Sequence, residues 1–358
     1  MASLSLPIHG RGAGLNPPNR FEPIALEPET DADHCARDEE DAQTQPTTQF
    51  FRDSSKSIIA HNDSPDVGFE FSINPYRGCE HGCIYCYARP GHEYLGFSSG
   101  LDFETKIMVK QDAPQLLRKE LMSRKWEGQS LSLSGVTDCY QPIERRTQLT
   151  RRCIQVLAEF RNPCSVITKN HLVTRDVDLL ADLAQDGAAM AFLSVTTLDQ
   201  ELSRVMEPRT SVPRRRLDAI RTLSQAGVPV GVMVAPVIPG LTDHEMPAIL
   251  EAAAEAGART AGYVPVRLPF AIKDLFEEWL ASHFPDRKDK VLNRIRALRG
   301  GKLNDSNFHT RMRGEGVWSE QLKTMFDLAK RKAGLDQPFP SLSSAKFRKP
   351  HGPQMTLW

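Results

Sequence analysis

Between residues 69 and 268 short apolar runs alternate six times with amphipathic stretches, and from the second unit on they recur at a spacing of roughly thirty residues. That is the rhythm of βα units around a parallel sheet, because each parallel pairing needs a crossover long enough to hold a helix. Residues 69–73, 130–136, 165–168, 190–195, 229–236 and 260–268 read as strands, short apolar runs suited to burial on both faces. Residues 113–125, 147–160, 176–185, 214–226 and 243–256 read as helices, with Leu116, Leu117, Leu121 and Met122 on one stripe of the first. Periodicity alone is satisfied equally by an open doubly wound sheet and by a barrel.

In a barrel of βα units the chemistry sits at the carboxyl ends of the strands. Polar residues gather there: Thr137, Asp138, Cys139 and Gln141, then Lys169 and Asn170, then Thr196 and Thr197, then Asp243, then Arg267. The rhythm divides the chain into an arm over 1–60, a βα domain over 61–270 and an extension over 271–358. The arm is rich in Pro, Asp, Glu, Thr and Gln without a sustained period, so it reads as largely disordered; Arg11 to Gly14 and Asn19 to Phe21 are its only specified stretches. Residues 276–284, 288–299 and 318–333 of the extension read as helices, and 338–358 as an irregular tail.

Formal net charge is zero but unevenly spread. Residues 281–358 hold 16 Lys/Arg against 7 Asp/Glu, a basic region that either closes the open side of a partial barrel or faces a polyanion. Composition, at 40% hydrophobic and 25% charged, excludes a fibrous or wholly disordered chain. No apolar run reaches the length of a membrane span and no secretory pattern stands at residues 1–10, so the reading is cytoplasmic, where thiols stay reduced.

Cysteine placement then narrows the chemistry. Of 7 cysteines, Cys79, Cys83 and Cys86 fall within one loop as Cys-x3-Cys-x2-Cys, directly after the first strand. Thiolates from one loop converge on a soft metal or an iron–sulfur cube when the chain turns tightly between them, and Gly78 and Gly82 supply the turns. Three thiolates leave one iron of a 4Fe–4S cluster without a protein ligand. The competing reading is a structural zinc knuckle with His81 or His92 as fourth ligand, although no second cysteine pair follows at zinc spacing.

Cys-x3-Cys-x2-Cys with Tyr85 just before the last cysteine resembles the radical S-adenosylmethionine (radical SAM) superfamily. Asn74 to Cys79, Thr137 to Pro142, Glu207-Pro-Arg209 and Ala226 to Val230 resemble its DNA repair photolyase-like branch, which is related to spore photoproduct lyase. The resemblance implies a partial (β/α)6 TIM-like barrel. It also implies a 4Fe–4S cluster on Cys79, Cys83 and Cys86, whose open iron chelates S-adenosylmethionine for reductive cleavage to a 5′-deoxyadenosyl radical. An external electron donor of flavodoxin or ferredoxin type is then required, and damaged nucleic acid, held by the basic extension, is a candidate substrate.

Cofactor-binding positions follow from the same likeness. Tyr85 falls beside the adenine. Thr137 and Asp138 stand where the superfamily binds the methionine amino group, with Ser134 to Asp138 replacing a Gly-Gly-Glu-like stretch. Lys169 and Asn170 stand near the ribose or the methionine carboxylate. Cys139 either donates a hydrogen atom to a substrate radical or packs as a small hydrophobe. Two other classes remain open: a zinc-stabilised nucleic-acid-binding protein, and an iron–sulfur electron carrier that does not cleave S-adenosylmethionine.

Overall fold

The computed structural model describes residues 10–21 and 46–350. Ten strands occur among them: β1 (Gln49–Arg52), β2 (Ile59–His61), β3 (Phe71–Ile73), β4 (Tyr76–Arg77), β5 (Lys106–Val109), β6 (Leu131–Leu133), β7 (Cys164–Thr168), β8 (Ala189–Ser194), β9 (Val230–Val237) and β10 (Thr260–Pro265). The helices are α1 (Leu101–Thr105), α2 (Ala113–Leu121), α3 (Glu144–Thr147), α4 (Leu149–Phe160), α5 (Val177–Gln185), α6 (Gln200–Met206), α7 (Pro213–Gln225), α8 (Met246–Glu255), α9 (Ile272–His283), α10 (Pro285–Leu298), α11 (Thr310–Arg313) and α12 (Gly316–Lys332).

The fold is mixed α/β around a parallel sheet. β3, β6, β7, β8, β9 and β10 lie side by side in the order of the sequence, every neighbouring pair parallel, and β2 adds antiparallel to the outer edge of β3. One register row, Ile73–Leu133–Val166–Ala191–Val230, crosses the sheet, and all five side chains are fully buried. Full burial of this face, with the alternate face of β7, β8 and β10 only half-buried, explains why these segments were legible as apolar runs. Helices α2, α4, α5, α7 and α8 bring their apolar stripes to the same core.

A second sheet was not expected. β5 pairs with β1 in parallel and with β4 antiparallel, inserted between the cysteine loop and α2. Its strands are two to four residues long, too short to leave a period in the sequence.

Only part of the arm falls among the described residues. Residues 10–21 and 46–60 are in place against the domain rather than disordered, whereas 1–9 and 22–45, with Cys35 among them, lie outside the described residues. At the other end, α12 packs on α8 and α10, and Tyr263 of β10 meets Phe326 of α12 with ring centroids 4.6 Å apart. The segment after α12 then crosses the amino ends of the strands. Ser343 N donates to Gly187 O at 2.9 Å just before β8, Arg348 N to Phe160 O at 2.8 Å before β7, and Phe347 lies on Gly128 before β6. Arginines link the β10 end of the sheet to the β2–β3 loop at its other end. Arg299 donates to Val266 O (3.0 Å) beyond β10 and to Arg311 O (2.8 Å), and Arg311 ion-pairs with Asp66 of the β2–β3 loop. Among the described residues no helix is long and apolar enough to cross a membrane.

Candidate active site

The cysteine loop leaves the carboxyl end of β3. Gly78 and Gly82 adopt φ of +77° and +65°, the left-handed region that a side chain resists, and so fold the loop back on itself. Cys79 and Cys83 are buried, Cys86 is partly exposed, and none is in a disulfide. Burial pushes the Cys79 and Cys83 thiols well up, reinforced by Asp138 at the first and Glu207 at the second; burial also raises Cys86 against the pull of Arg89.

Four clamps hold the loop, two through its backbone and two through side chains it carries. In the first, Arg89 donates to the Cys83 carbonyl from Nε (3.0 Å) and Nη2 (2.9 Å) and ion-pairs with Glu104, both side chains fully buried. The Glu104 carboxylate also accepts Gly12 N (3.0 Å) and Ala13 N (2.9 Å). Gly12 approaches the loop so closely that a Cβ there would stand 1.8 Å from Gly82 O. In the second, Gln141 accepts Glu80 N (2.9 Å) and donates to Gly78 O (3.1 Å), while Glu80 accepts Ile143 N (2.7 Å) and Arg209 Nη1 (3.0 Å).

The third clamp is Tyr85, whose hydroxyl donates to Glu207. That carboxylate also takes Thr196 Oγ1 (2.8 Å) and Arg216, which in turn donates to Ser194 O at 3.1 Å. Burial raises the Glu207 carboxyl even though Arg216 opposes it. The fourth is His81, its ring nitrogens engaged by Asn170 (3.0 Å) and Asp138 (3.4 Å).

The remaining expected residues meet at the same strand ends. Asp138 accepts Thr168 Oγ1 (2.7 Å), Lys169 N (2.8 Å) and Tyr140 N (2.9 Å), so its carboxylate ties β6 to β7 rather than standing open. Burial raises that carboxyl, but His81 and these hydrogen bonds outweigh it and hold it below the usual range. The Thr137 hydroxyl is taken by Tyr76 O (2.8 Å). Asn170 Oδ1 accepts Leu172 N at 3.0 Å, capping the 3-10 turn that follows β7. Lys169 Nζ lies 5.8 Å from the Tyr85 ring centre and donates to Ala235 O at 3.2 Å; burial lowers it.

Cys139, read either as a hydrogen-atom donor or as a packed small hydrophobe, is fully buried in the main apolar core. Its N–H donates to Ser134 Oγ (2.8 Å) and its carbonyl accepts Thr150 Oγ1 (2.6 Å), which turns the thiol inward. Arg89, Glu104, Gln141, Glu80 and Arg216 were missed as loop holders. Their signal was weak, since a polar side chain bonded to a partner from 6 positions away (Arg89 to Cys83) to 129 away (Glu80 to Arg209) leaves no recurring local pattern; Glu207 and Arg209 stood in a quoted motif without an assigned role.

Among the described residues no three His, Cys, Asp or Glu side chains stand in a metal-holding arrangement. The fit to an iron–sulfur cluster therefore rests on the donor set: three thiols outside any disulfide on one turning loop, whose clamps fall on carbonyls, an amide and the Tyr85 and His81 side chains rather than on the sulfurs. His81 offers no free zinc ligand, because both its nitrogens are engaged, while His92 packs against Phe97 and Phe103 with its Nε2 buried and unpartnered.

A parallel α/β sheet with a three-cysteine loop at its carboxyl edge defines the class, and the family comparison agrees. The model of the radical SAM superfamily matches residues 73–253, and the chain belongs to that superfamily. An uncharacterised protein of Mycobacterium tuberculosis (strain ATCC 25618 / H37Rv) is 39% identical over 232 residues, 64% of this chain and 67% of that one. Spore photoproduct lyase of Bacillus subtilis (strain 168) is 26% identical over 184 residues, 49% of this chain and 48% of that one. In fold, the chain is similar to a solved mutant of spore photoproduct lyase with bound AdoMet and dinucleoside spore photoproduct. That likeness has a TM-score of 0.54 at 19% identity and covers 79% of this chain and 77% of that one.

Proposed function

We propose that the protein is a radical SAM enzyme whose six parallel strands curl as a partial (β/α)6 barrel around a 4Fe–4S cluster on Cys79, Cys83 and Cys86. When bound, the cluster and S-adenosylmethionine would supply a 5′-deoxyadenosyl radical after one-electron reduction by an external donor of flavodoxin or ferredoxin type. The chain's own residues do the positioning. Arg89 and Gln141 fix the carbonyls of the cysteine loop, leaving the sulfurs free to ligate. Tyr85, pinned through its hydroxyl, presents a ring of fixed orientation to the adenine. Lys169 and Asn170 border that ring and His81, where they would meet the ribose or methionine carboxylate. Thr137 and Asp138 act by joining the strand ends and Cys139 acts by packing, since their polar or sulfur atoms are already enclosed.

One observation carries this reading: three free thiols on a loop clamped from four sides at the carboxyl ends of parallel strands. Neither a zinc knuckle nor a simple electron carrier needs a polar barrel mouth of this kind. The tail residues Lys346, Arg348 and Lys349 cross the opposite end, so a nucleic acid held there is not thereby brought to the cysteines.

The test is anaerobic purification, iron and sulfide reconstitution, and assay of 5′-deoxyadenosine with dithionite and S-adenosylmethionine. The parent chain should take up about four irons and form product. Cys83→Ala should lose both; zinc in place of iron, or a full cluster without product, would overturn the proposal.

A further inference from the structure

Around the carboxyl ends of the strands almost every guanidinium has a carboxylate. Arg89 pairs with Glu104, Arg209 with Glu80, Arg216 with Glu207, Arg175 with Glu144 and Arg311 with Asp66. Arg299 is held differently, by the carbonyls of Val266, Thr310 and Arg311 on its two Nη atoms, with only its Nε left unpartnered. Arg267 stands apart. Among the described residues its one hydrogen bond is from Nη1 to the thioether of Met312 at 3.2 Å, and its Nε is buried without a partner. A thioether is a weak acceptor, so five strong donors are left with almost nothing to receive them.

The surroundings sharpen the anomaly. Arg267 is partly buried two residues beyond β10, on backbone pinned by Val266 N to Val237 O (2.9 Å) and by Arg299 to Val266 O. Burial lowers the Arg267 guanidinium from its ordinary value, and the neighbouring Arg311 charge lowers it further, against Tyr87, Asp66 and Asp305. Tyr87 directly follows Cys86 and reaches across to Gly135 O at 3.1 Å, which ties this corner to the cysteine loop. A half-buried cation beside two other arginines is costly unless an anion completes it, and the planar guanidinium fork matches an oxyanion.

We propose that Arg267 recognises an oxyanion, phosphate ester or carboxylate, on the molecule that the radical attacks. This rests on the radical SAM reading for the word substrate, but the anion site itself does not depend on the cluster. The S-adenosylmethionine carboxylate is the other source of the same chemistry, and the experiment separates the two.

Phenylglyoxal modification of the full chain, with the rate at each arginine mapped by peptide mass spectrometry, reads Arg267 directly. It is run on the reconstituted parent and on Cys83→Ala, with no addition, inorganic phosphate, succinate or S-adenosylmethionine. Arg267 should react faster than the ion-paired Arg216 and Arg89, and phosphate or succinate should slow it at least threefold in both proteins, while S-adenosylmethionine does not. Protection by S-adenosylmethionine alone would assign the site to the cofactor and overturn the proposal, as would no protection by any of the three or an Arg267 that never reacts. Protection by phosphate in a protein that takes up no iron would leave the anion site standing and remove the radical reading instead.

Discussion

Residues 10–21 and the segment after α12 both lie as straps on the α/β core, yet they are bonded differently. The first meets the carboxyl ends of the strands through buried charge: Glu104 bridges the Gly12 and Ala13 amides to Arg89, and Arg89 holds Cys83. The second meets the amino ends through main-chain bonds and rings, with Ser343 on Gly187, Arg348 on Phe160, Phe347 on Gly128 and Phe339 against Phe192. Buried ion pairs add little net stability, but losing one partner is severe, whereas apolar contacts yield by degrees. The strap at the cysteines is therefore tuned to geometry and the one at the far end to stability.

Substitutions should separate the two straps. The largest effect is expected for Glu104→Gln, which leaves Arg89 buried without its carboxylate. Roughly 3–5 kcal/mol should be lost in denaturant unfolding, and iron uptake on reconstitution should collapse with it.

Acid should act at the same end. Burial holds the His92 imidazole down to about 4, below an ordinary value of 6.5. A depressed histidine favours the neutral folded form, so its contribution is fully present above pH 6.5 and is lost as pH falls toward 4. The total is about 3 kcal/mol at one pKa unit per 1.36 kcal/mol. Urea midpoints measured from pH 7 to 4 should decline across that window, and His92→Gln should flatten the decline.

Gly12→Ala forces the loop away from Gly82 O at a cost of roughly 1–3 kcal/mol, and bound iron should fall by more than that modest loss of stability explains. Phe347→Ala at the far strap should cost about 1–2 kcal/mol and leave iron content per folded chain unchanged. If Phe347→Ala emptied the cysteines, or Gly12→Ala spared them, the division between the straps would be wrong.

The parallel strands and the cysteine loop were legible because they depend on local pattern. Apolar runs mark β6 to β10, and Cys79, Cys83 and Cys86 sit close in sequence. Helix α6 escaped although Asp199 caps it, its side chain accepting Glu201 N at 2.8 Å and Leu202 N at 3.1 Å, because seven residues make a weak helical period. Cys139 kept two readings open because a strand-end position does not reveal that the turn from Ser134, with φ of +73°, folds inward. The clamps were illegible in principle: Tyr85 and Glu207 lie 122 positions apart.

Sequence distance also orders assembly. Gly12 must wait for Glu104, 92 positions later, before it can settle, and the cysteines are synthesised between the two. During translation the thiols therefore emerge before the residue that locks their loop, and Arg209 and Arg216, which complete the other clamps, come more than a hundred residues after that lock. Contacts of such separation form late. The nascent loop thus passes through an interval in which its sulfurs are accessible and its backbone pliable, before the later clamps close around it.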